Sequence, residues 1–342
     1  RRAHIRHRNF GETFRKGTKR LVTGVSPVKA AEIGSNRTRS SADRTDGGSD
    51  FSATKVILTY VKQTSPGPET SSEHPSLAGT DLFLAYDRST VVHGASLRLV
   101  AGQVTALIGP NGSGKSTLLR SLARLHRPTS GTVSLPDAPD ALALKPKDFA
   151  RQVTLLSQSR PTPNGVTVRD IVGYGRHPYQ ARYRRTDADG PRAVAHAMEV
   201  TGVTDMADRG VDELSGGELQ RVWLATCLAQ DTGVLLLDEP TTYLDLRYQV
   251  EILDLVRDLA DDHGVAVGVV LHDLNQAAAV ADHVVLLRQG VVQASGSAVD
   301  VLRADLLSET YGLRIDVSVD PLTGLVRTEP VGRHTARRAQ PA

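Results

Sequence analysis

QVTALIGPNGSGKSTLLRSLARL, residues 103–125, joins a strand pattern, a glycine-rich loop and a helix pattern in one stretch. Residues 103–108 form a short, mostly apolar run that is typical of a buried strand. Leucines then recur at helical spacing at positions 118, 119, 122 and 125, and Pro128 is expected to end that helix. A buried strand that leads through a loop directly into a helix is typical of an α/β protein with a mainly parallel sheet.

The loop between this strand and this helix has the spacing of a phosphate-binding motif, G-x-x-x-x-G-K-[ST]. Glycines let the backbone turn its N–H groups towards phosphate oxygens, and the helix dipole favours negative charge. Lys115 would reach the β- and γ-phosphates, and the Ser116 hydroxyl would ligate Mg²⁺. The alternative is a glycine-rich turn with a solvated lysine, but Lys115 is one of only three lysines after residue 80. The candidate nucleotide-binding residues are Gly109, Pro110, Asn111, Gly112, Ser113, Gly114, Lys115, Ser116 and Thr117.

Composition limits the class of protein. The 342 residues suffice for one large or two ordinary domains, and the single cysteine, Cys227, excludes a disulfide framework and a cysteine-rich zinc module. The formal charge of +3 is uneven, because residues 1–80 carry 14 basic and 7 acidic side chains whereas residues 81–342 carry 27 and 31. The sequence pI near 9 therefore comes from the N-terminal stretch and is no sign of a nucleic-acid partner.

The N-terminal residues lack a sustained apolar period. Their composition cannot bury enough apolar surface to offset chain entropy, so we interpret residues 1–78 as a disordered basic leader. The apolar region of a secretory signal is missing, while the Arg-rich, acid-poor start leaves an organelle transit peptide as an alternative. Because the first methionine is Met198, residue 1 is not expected to be a standard initiator.

Strand and helix patterns alternate beyond residue 125. Buried strands are predicted over residues 234–237 and 265–271. The runs 284–287 and 291–292 flank Arg288-Gln289-Gly290, which is a hairpin signal. The stretch from about residue 160 to 230 has few strand signals and is interpreted as a helical insertion into the α/β domain.

Two adjacent carboxylates follow the predicted strand 234–237. The carboxyl ends of parallel strands open onto ligand sites, so Asp238 and Glu239 are expected to face the nucleotide. Asp238 would hold Mg²⁺ through water, and Glu239 would take a proton from the attacking water. Alone, such a pair is equally compatible with an N-cap of the next helix, but the upstream phosphate loop favours the catalytic interpretation.

A second anion site is predicted at Ser215-Gly216-Gly217-Glu218. Ser215 is a good N-cap, and the two glycines expose backbone N–H groups at a helix start. If both anion sites serve one nucleotide, the second site would be redundant within a single chain. Two copies of the chain would use both, each lending its Ser-Gly-Gly turn to the γ-phosphate held by the other.

Leu214-Ser-Gly-Gly-Glu218, with the phosphate loop and the strand ending in Asp238-Glu239, resembles the signature of the nucleotide-binding subunit of ATP-binding-cassette (ABC) transporters. The resemblance covers residues 79–334 and leaves 335–342 as a tail. It implies a P-loop NTPase (RecA-like) fold of the α/β class, with an antiparallel β subdomain and an inserted helical subdomain. It also implies ATP as the nucleotide, Mg²⁺ as the metal, and a head-to-tail homodimer that closes around two ATP and reopens on hydrolysis.

Further positions gain a role from this resemblance. Tyr86 matches the aromatic residue that stacks on adenine, with an ordinary core tyrosine as the alternative. Gln158 matches the loop glutamine that approaches Mg²⁺ and touches the membrane subunit. Asp245 lies in the segment that matches the loop communicating across the dimer. His272 matches the switch histidine, which hydrogen-bonds the γ-phosphate and orients Glu239 and water.

Finer features resemble the importers of iron siderophores, haem and cobalamin. They are the string Val168-Arg-Asp-Ile-Val-Gly-Tyr-Gly-Arg-His-Pro-Tyr179, the Thr-Thr-Tyr variant within residues 238–245, and the segment 320–334. Polar Thr328-Glu329 interrupts the apolar pattern of that last segment, which makes the segment a weaker sign of this branch. No run approaches the 18 apolar residues of a membrane span. The resemblance therefore implies separate integral membrane permease subunits, and a substrate-binding protein that acts indirectly. It places the chain peripherally at the cytoplasmic face of the cell membrane, energising import of a ferric siderophore or a related iron chelate.

Two other functions are compatible with a nucleotide-binding cassette. One is a soluble ABC ATPase acting on nucleic acid or the ribosome, although such relatives usually carry two cassettes or a long coiled coil. The other is a nucleotide-dependent scaffold without hydrolysis, against which Glu239 and His272 argue. We predict an enzyme that hydrolyses ATP and binds no nucleic acid.

Overall fold

A computed structural model describes residues 76–334, apart from positions 88, 159, 161 and 181–186. The predicted leader therefore lies outside the described residues except for positions 76–78, and the predicted tail 335–342 lies wholly outside them. The first strand begins at Leu77, so the last two positions assigned to the leader belong to this strand. Among the residues described, no helix combines the length and apolar character needed to cross a membrane.

Strands and helices alternate along the described chain. The strands are β1 (Leu77–Tyr86), β2 (Ser89–Leu99), β3 (Val104–Ile108), β4 (Ser130–Ser134), β5 (Val153–Leu156), β6 (Val234–Asp238), β7 (Ala266–Val270), β8 (His283–Arg288), β9 (Val291–Gly296), β10 (Ile315–Val319) and β11 (Val326–Pro330). The α-helices are α1 (Lys115–Leu122), α2 (Pro146–Ala150), α3 (Val168–Tyr174), α4 (Gly190–Val200), α5 (Gly216–Ala229), α6 (Leu246–Asp261), α7 (Leu274–Val280), α8 (Ala298–Val301) and α9 (Ala304–Tyr311).

The centre of the molecule is a six-stranded sheet in the order β5-β6-β7-β3-β8-β9. Neighbouring strands run parallel except in the antiparallel hairpin β8–β9. Every residue of β3, β6 and β7 is buried, because other elements pack on both faces of the sheet. This explains why the sequences of these strands are apolar without alternation. The predicted α/β architecture is confirmed.

The predicted hairpin at residues 288–290 is also confirmed. Gln289 (φ 49°) and Gly290 (φ 77°) lie between β8 and β9, and two consecutive positive φ angles are typical of a type I′ turn. A Cβ at Gly290 would lie 2.3 Å from the backbone oxygen of Val91. Glycine is therefore required here by the close approach of another strand as well as by the turn.

A three-stranded antiparallel sheet, β2-β1-β4, packs on α1 and on one face of the central sheet. Its buried side chains, such as Leu84 and Val92, share a core with Leu118 and Leu119 of α1. This sheet corresponds to the antiparallel β subdomain that the resemblance implies.

The segment between β5 and β6 contains α3, α4 and α5. These helices pack around a hydrophobic cluster of their own, which includes Ile171, Met198 and Val222. The buried guanidinium of Arg176 fastens the segment internally, because it pairs with Asp187 at 2.7 Å. The expected helical insertion is therefore present as a distinct packing unit.

Helix α1 ends earlier than the leucine pattern predicts. Its last residue is Leu122, and Arg124 adopts a left-handed conformation (φ 60°). The Arg124 guanidinium donates hydrogen bonds to the carbonyl oxygens of Leu142 and Leu144, which stabilises the chain outside the helix. The prediction of a helix reaching Leu125 is therefore wrong, and Leu125 is 69% exposed.

The C-terminal strands β10 and β11 form a two-stranded sheet that contacts α7. Ile315 and Val326 enter the hydrophobic core beside the central sheet. Thr328 is buried as well, and its backbone N–H donates a hydrogen bond of 2.8 Å to the side chain of Asn275. Polar Thr328 is accommodated in this packing, because the Asn275 amide on α7 accepts hydrogen bonds from its N–H and its hydroxyl.

Candidate functional site

The phosphate loop connects the carboxyl end of β3 to the start of α1. Three of its glycines have positive φ angles, namely Gly109 (142°), Gly112 (76°) and Gly114 (99°). A Cβ at Gly109 would lie 2.0 Å from the carbonyl oxygen of Leu287 in β8, so the loop packs there only because glycine has no side chain. The loop thus adopts backbone conformations that its glycines make accessible.

Lys115 is the first residue of α1, and its side chain is buried within the loop. Its Nζ donates hydrogen bonds to the carbonyl oxygens of Gly109 (2.8 Å) and Pro110 (3.0 Å). Burial lowers the pKa of Lys115, and the negative charges of Glu239 and Asp238 partly oppose this effect. A buried ammonium that donates to neutral carbonyls is well placed to bind an anion, which would compensate its charge.

Asp238 is the last residue of β6 and is buried. Its Oδ1 accepts a hydrogen bond of 2.6 Å from Ser116 Oγ, and its Oδ2 lies 3.1 Å from Arg120 Nη2. Arg120 is absent from the residues predicted from sequence. Its position four residues after Ser116 is the signal that points to it, since this spacing places both side chains on one face of α1.

Glu239 adopts a left-handed conformation (φ 57°), which costs a non-glycine residue roughly 1–2 kcal/mol. Its carboxylate accepts hydrogen bonds from side chains other than those that contact Asp238. Oε1 lies 2.6 Å from His272 Nε2, and Oε2 accepts hydrogen bonds from Gln158 Nε2 (2.5 Å) and Thr242 Oγ1 (3.3 Å). Three donors therefore hold one carboxylate in place.

Gln158, Glu239 and His272 follow β5, β6 and β7, which are adjacent in the sheet. Parallel strands end at the same edge of a sheet, and this brings the three side chains together. The Glu239 side chain is only 11% exposed, whereas that of His272 is 42% exposed. The contact with the carboxylate requires a proton on His272 Nε2. The arrangement suits proton transfer at a carboxylate that is oriented by its neighbours.

The Ser215–Glu218 turn starts helix α5 and forms a reciprocal capping box. Ser215 Oγ accepts a hydrogen bond from the Glu218 N–H, and Glu218 Oε2 accepts one of 2.8 Å from the Ser215 N–H. The hydrogen bond from this backbone N–H is the main reason why the pKa of Glu218 is lowered. Glu218 thus shapes the turn, and its contact with nucleotide stays a prediction.

Asp245 and Tyr86 occupy the ends of two other elements. Asp245 caps helix α6 by accepting a hydrogen bond of 3.1 Å from the Tyr248 N–H. Tyr86 ends β1, is half exposed, and packs against His126 with 4.5 Å between ring centroids. Tyr86 is therefore not a core residue, and its exposed side chain is accessible for the predicted stacking on adenine.

The proteins that this chain is similar to indicate the same chemistry as the geometry of the site. Residues 92–242 match the family model described as ABC transporter. Over 257 residues the chain is 43% identical to the ferric enterobactin transport ATP-binding protein FepC of Escherichia coli (strain K12), a match that covers 75% of this chain and 94% of FepC. The chain belongs to the ABC transporter family. Its predicted fold is confirmed, and as an ABC ATPase it binds ATP and hydrolyses it to power transport.

Two further similarities extend the comparison. The iron(3+)-hydroxamate import ATP-binding protein FhuC of Bacillus subtilis (strain 168) is 39% identical over 248 residues, which is 72% of this chain and 92% of FhuC. A solved ABC transporter assigned to the metal-chelate type, in an inward-facing conformation, matches with a TM-score of 0.67 and 26% identity over 76% of this chain and 98% of that chain. FepC and FhuC are both transport proteins, so the alternative of an ATPase acting on nucleic acid or the ribosome gains no support.

The donor atoms beside the phosphate loop of this ABC ATPase fit Mg²⁺. Ser116 and Asp238 bring a hydroxyl and a carboxylate oxygen together, and Mg²⁺ prefers such hard oxygen donors. Gln158 contacts Glu239 through its amide nitrogen, so the atom that a metal would need, the amide oxygen, is not the one engaged there. Within the described part of the chain, no group of three or more His, Cys, Asp or Glu side chains could hold a metal. In proteins Mg²⁺ usually takes one or two protein ligands and keeps several waters beside substrate phosphates.

The two signature glycines are expected to differ in their tolerance of a side chain. A Cβ at Gly217 would lie 2.4 Å from the ring of Tyr248, whereas a Cβ at Gly216 would meet nothing within 4 Å. We expect Gly217→Ala to lower the free energy of unfolding by about 1–3 kcal/mol, because the Tyr248 ring has to move. Gly216→Ala is the matched control and should retain wild-type stability in chemical denaturation. Equal stability of the two variants would contradict this account.

Proposed function

We propose that this ABC ATPase is the energy-coupling subunit of an importer whose cargo is a ferric siderophore or a related iron chelate. The observation that carries the proposal is the contact of Gln158 and His272 with Glu239, together with the phosphate loop on the same chain. The cargo class is supported by the similarity to FepC and FhuC, whose names specify ferric enterobactin and iron(3+)-hydroxamate. We assign residues 79–334, together with the first two residues of β1, to the cassette, with the helical subdomain at about residues 160–230.

Hydrolysis needs a base beside the γ-phosphate and positive charge around the phosphates. Glu239 is the base: its carboxylate, oriented by His272, accepts the proton of the attacking water. Lys115 and the N–H groups of the loop bind the β- and γ-phosphates. Ser116 and Asp238 would hold Mg²⁺, which would supply positive charge beside the phosphate oxygens.

A second copy of the chain completes each ATP site in this proposal. The Ser215 turn makes its hydrogen bonds within itself, and Glu218 pairs with Arg209, so the turn is already formed in one copy. Its helix N-terminus suits a γ-phosphate held by the partner, which gives a head-to-tail homodimer in the ATP-bound state. Asp245 would lie at the interface of this dimer, and Tyr86 would stack on adenine.

The permease is proposed to bind in a groove beside the Gln158 loop. The groove is lined by residues of α2 and β5, among them Phe149 and Leu155, and by exposed Leu125. Strand β5 leads directly to Gln158, so a partner in the groove lies next to a residue that contacts Glu239. We assign the groove to an apolar segment of an integral membrane permease subunit. Such docking would hold the ATPase peripherally at the cytoplasmic face of the membrane, and a substrate-binding protein would act through the permease.

Leu125→Asp is expected to weaken permease binding while ATP binding and stability stay at wild-type values. Replacing an exposed leucine changes the stability of the free chain little. A charge buried in an apolar contact with the permease lowers the binding free energy. A loss of about 1.4 kcal/mol corresponds to a tenfold loss of affinity. Retention of the tagged chain on native membranes, with the captured permease identified, measures the effect. Leu322→Asp, at a side chain that is 95% exposed, is the matched control. Equal retention of both variants would contradict the assignment of the groove.

The cargo is tested by uptake of ⁵⁵Fe-labelled ferric siderophore in cells whose only copy of the chain carries Glu239→Gln. We expect iron uptake to stop, while uptake of cobalamin and haem continues in the same cells. Loss of cobalamin uptake with normal iron uptake would overturn the cargo class but leave the ATPase function standing. Normal uptake of all three would contradict the proposed role in import.

A further inference from the structure

Helix α7 starts close behind His272, so the orientation of His272 depends on the first turn of this helix. Asp273 caps the turn, and its Oδ1 accepts hydrogen bonds from the backbone N–H groups of Asn275 (2.7 Å) and Gln276 (3.1 Å). The capped turn is a stiff unit that carries the imidazole at its start. A displacement of this turn would therefore displace His272 relative to Glu239.

Asn275 joins the turn to the C-terminal hairpin, defined as residues 315–330. Its Oδ1 accepts hydrogen bonds from the backbone N–H (2.8 Å) and the hydroxyl (3.2 Å) of Thr328, and its Nδ2 donates to the Thr328 carbonyl oxygen (3.2 Å). The amide pairs with both main-chain groups of one β11 residue, as a neighbouring strand would. Because the main-chain groups make two of the three bonds, the pairing depends little on the side chain at position 328.

Gln276 joins the same turn to the segment that follows Glu239. Its Oε1 accepts a hydrogen bond from Thr241 Oγ1 (3.0 Å), and its Nε2 donates to Gln249 Oε1 (2.8 Å). Gln249 in turn donates to the carbonyl oxygen of Leu244 (2.9 Å). The first turn of α7 is thus bonded both to the C-terminal hairpin and to the segment between Glu239 and α6.

The C-terminal hairpin has apolar contacts that keep it in one place. Ile315 and Val326 are buried in the same cluster as Leu274 and Ala277 of α7. A hairpin anchored in this way presents a fixed strand edge to Asn275. The hydrogen bonds of Asn275 therefore connect the first turn of α7 to this fixed hairpin.

We propose that the C-terminal hairpin positions the switch histidine for hydrolysis, with Asn275 as the residue that connects the two. The pairing with Thr328 fixes the first turn of α7, and this turn sets the 2.6 Å contact between His272 Nε2 and Glu239 Oε1. Asn275 is a positioning residue, since it acts through His272. The inference rests on the proposed roles of Glu239 and His272.

The test measures ATP turnover of the full chain after Asn275→Leu, which keeps the size of the side chain but removes its amide. We expect kcat per bound nucleotide to fall about tenfold while KM for ATP changes less than about twofold, because the base is misaligned and the phosphate loop is untouched. Asn275→Asp retains an acceptor for the Thr328 N–H and should recover most of the loss. Thr328→Val is the matched control, since it removes only the hydroxyl and should turn over ATP at the wild-type rate.

A double-mutant cycle separates positioning from a general loss of structure. In the His272→Ala background, Asn275→Leu should cause no further loss of kcat, because it acts through the imidazole. Additive losses, or a normal kcat in Asn275→Leu, would overturn the positioning role while wild-type ATPase activity upholds the proposed function. Hydrogen exchange of the first-turn amides of α7 tests the pairing without hydrolysis. Unchanged protection of these amides in Asn275→Leu would also overturn the inference, even if the wild-type chain proved inactive and the proposed function failed.

Discussion

Glu239→Gln is expected to stop ATP turnover and leave ATP binding intact. Glutamine has the length of glutamate and its amide oxygen still accepts hydrogen bonds, but the amide cannot take a proton from water. Loss of a general base lowers kcat by about 10²–10⁴-fold. Because ATP still binds and is not hydrolysed, the variant should accumulate as an ATP-bound dimer. Steady-state ATPase assays, nucleotide titration and light scattering measure the three quantities.

Glu199→Gln is the matched control for this substitution. Glu199 lies on the exposed face of α4 in the helical insertion, and its change should leave turnover and oligomeric state at wild-type values. Turnover of the Glu239→Gln variant within about threefold of wild type would rule out Glu239 as the base, since positioned proton transfer contributes far more.

The second large effect is expected for Lys115→Met, which should weaken ATP binding by at least about a hundredfold, or about 3 kcal/mol. Methionine retains an apolar stem but removes the ammonium that donates to the carbonyl oxygens of Gly109 and Pro110. The phosphates would then enter a buried loop without the cation that compensates their charge. Equilibrium titration with a fluorescent ATP analogue gives Kd directly.

Lys145→Met is the matched control, because Lys145 is exposed at the start of α2. This variant should bind ATP with the wild-type Kd. The Lys115 variant should also fold normally in chemical denaturation, since the substitution removes a desolvated charge and leaves apolar volume in its place. A wild-type Kd for Lys115→Met would contradict the role of Lys115 in phosphate binding.

Local patterns were sufficient for the elements that build the central sheet. The apolar runs at 104–108, 234–237 and 266–270 are buried strands because both faces of the sheet are covered, and such strands show no alternation. The turn at Gln289-Gly290 could also be predicted from the sequence, since a turn with two positive φ angles favours glycine. The end of α1 could not be predicted from the local pattern, because the carbonyl oxygens that accept hydrogen bonds from Arg124 belong to residues 142 and 144, outside the helix.

The contacts within the site also divide into those between neighbours in sequence, which motifs predict, and those between separate elements, which they do not. The hydrogen bonds of Lys115 within the phosphate loop and the capping box of Ser215 and Glu218 join neighbours a few residues apart, so their motifs predict them. The pairing of Arg120 with Asp238 and that of Asn275 with Thr328 join separate elements. Neither pair forms a motif, and a single polar residue on a helix has many possible partners.

Motif strings alone were therefore sufficient to indicate that this chain binds a nucleotide, carries a carboxylate pair at a strand end and starts a helix with a Ser-Gly-Gly turn, whose binding of a second anion stays a prediction. Such features follow from local backbone conformation and short-range spacing. Three-dimensional packing decided how the Glu239 carboxylate is held, since Gln158 is 81 positions away and His272 follows a different strand. These side chains meet because burial of apolar strands fixes the order β5-β6-β7, and the order of strands in a sheet is a property of the whole folded chain.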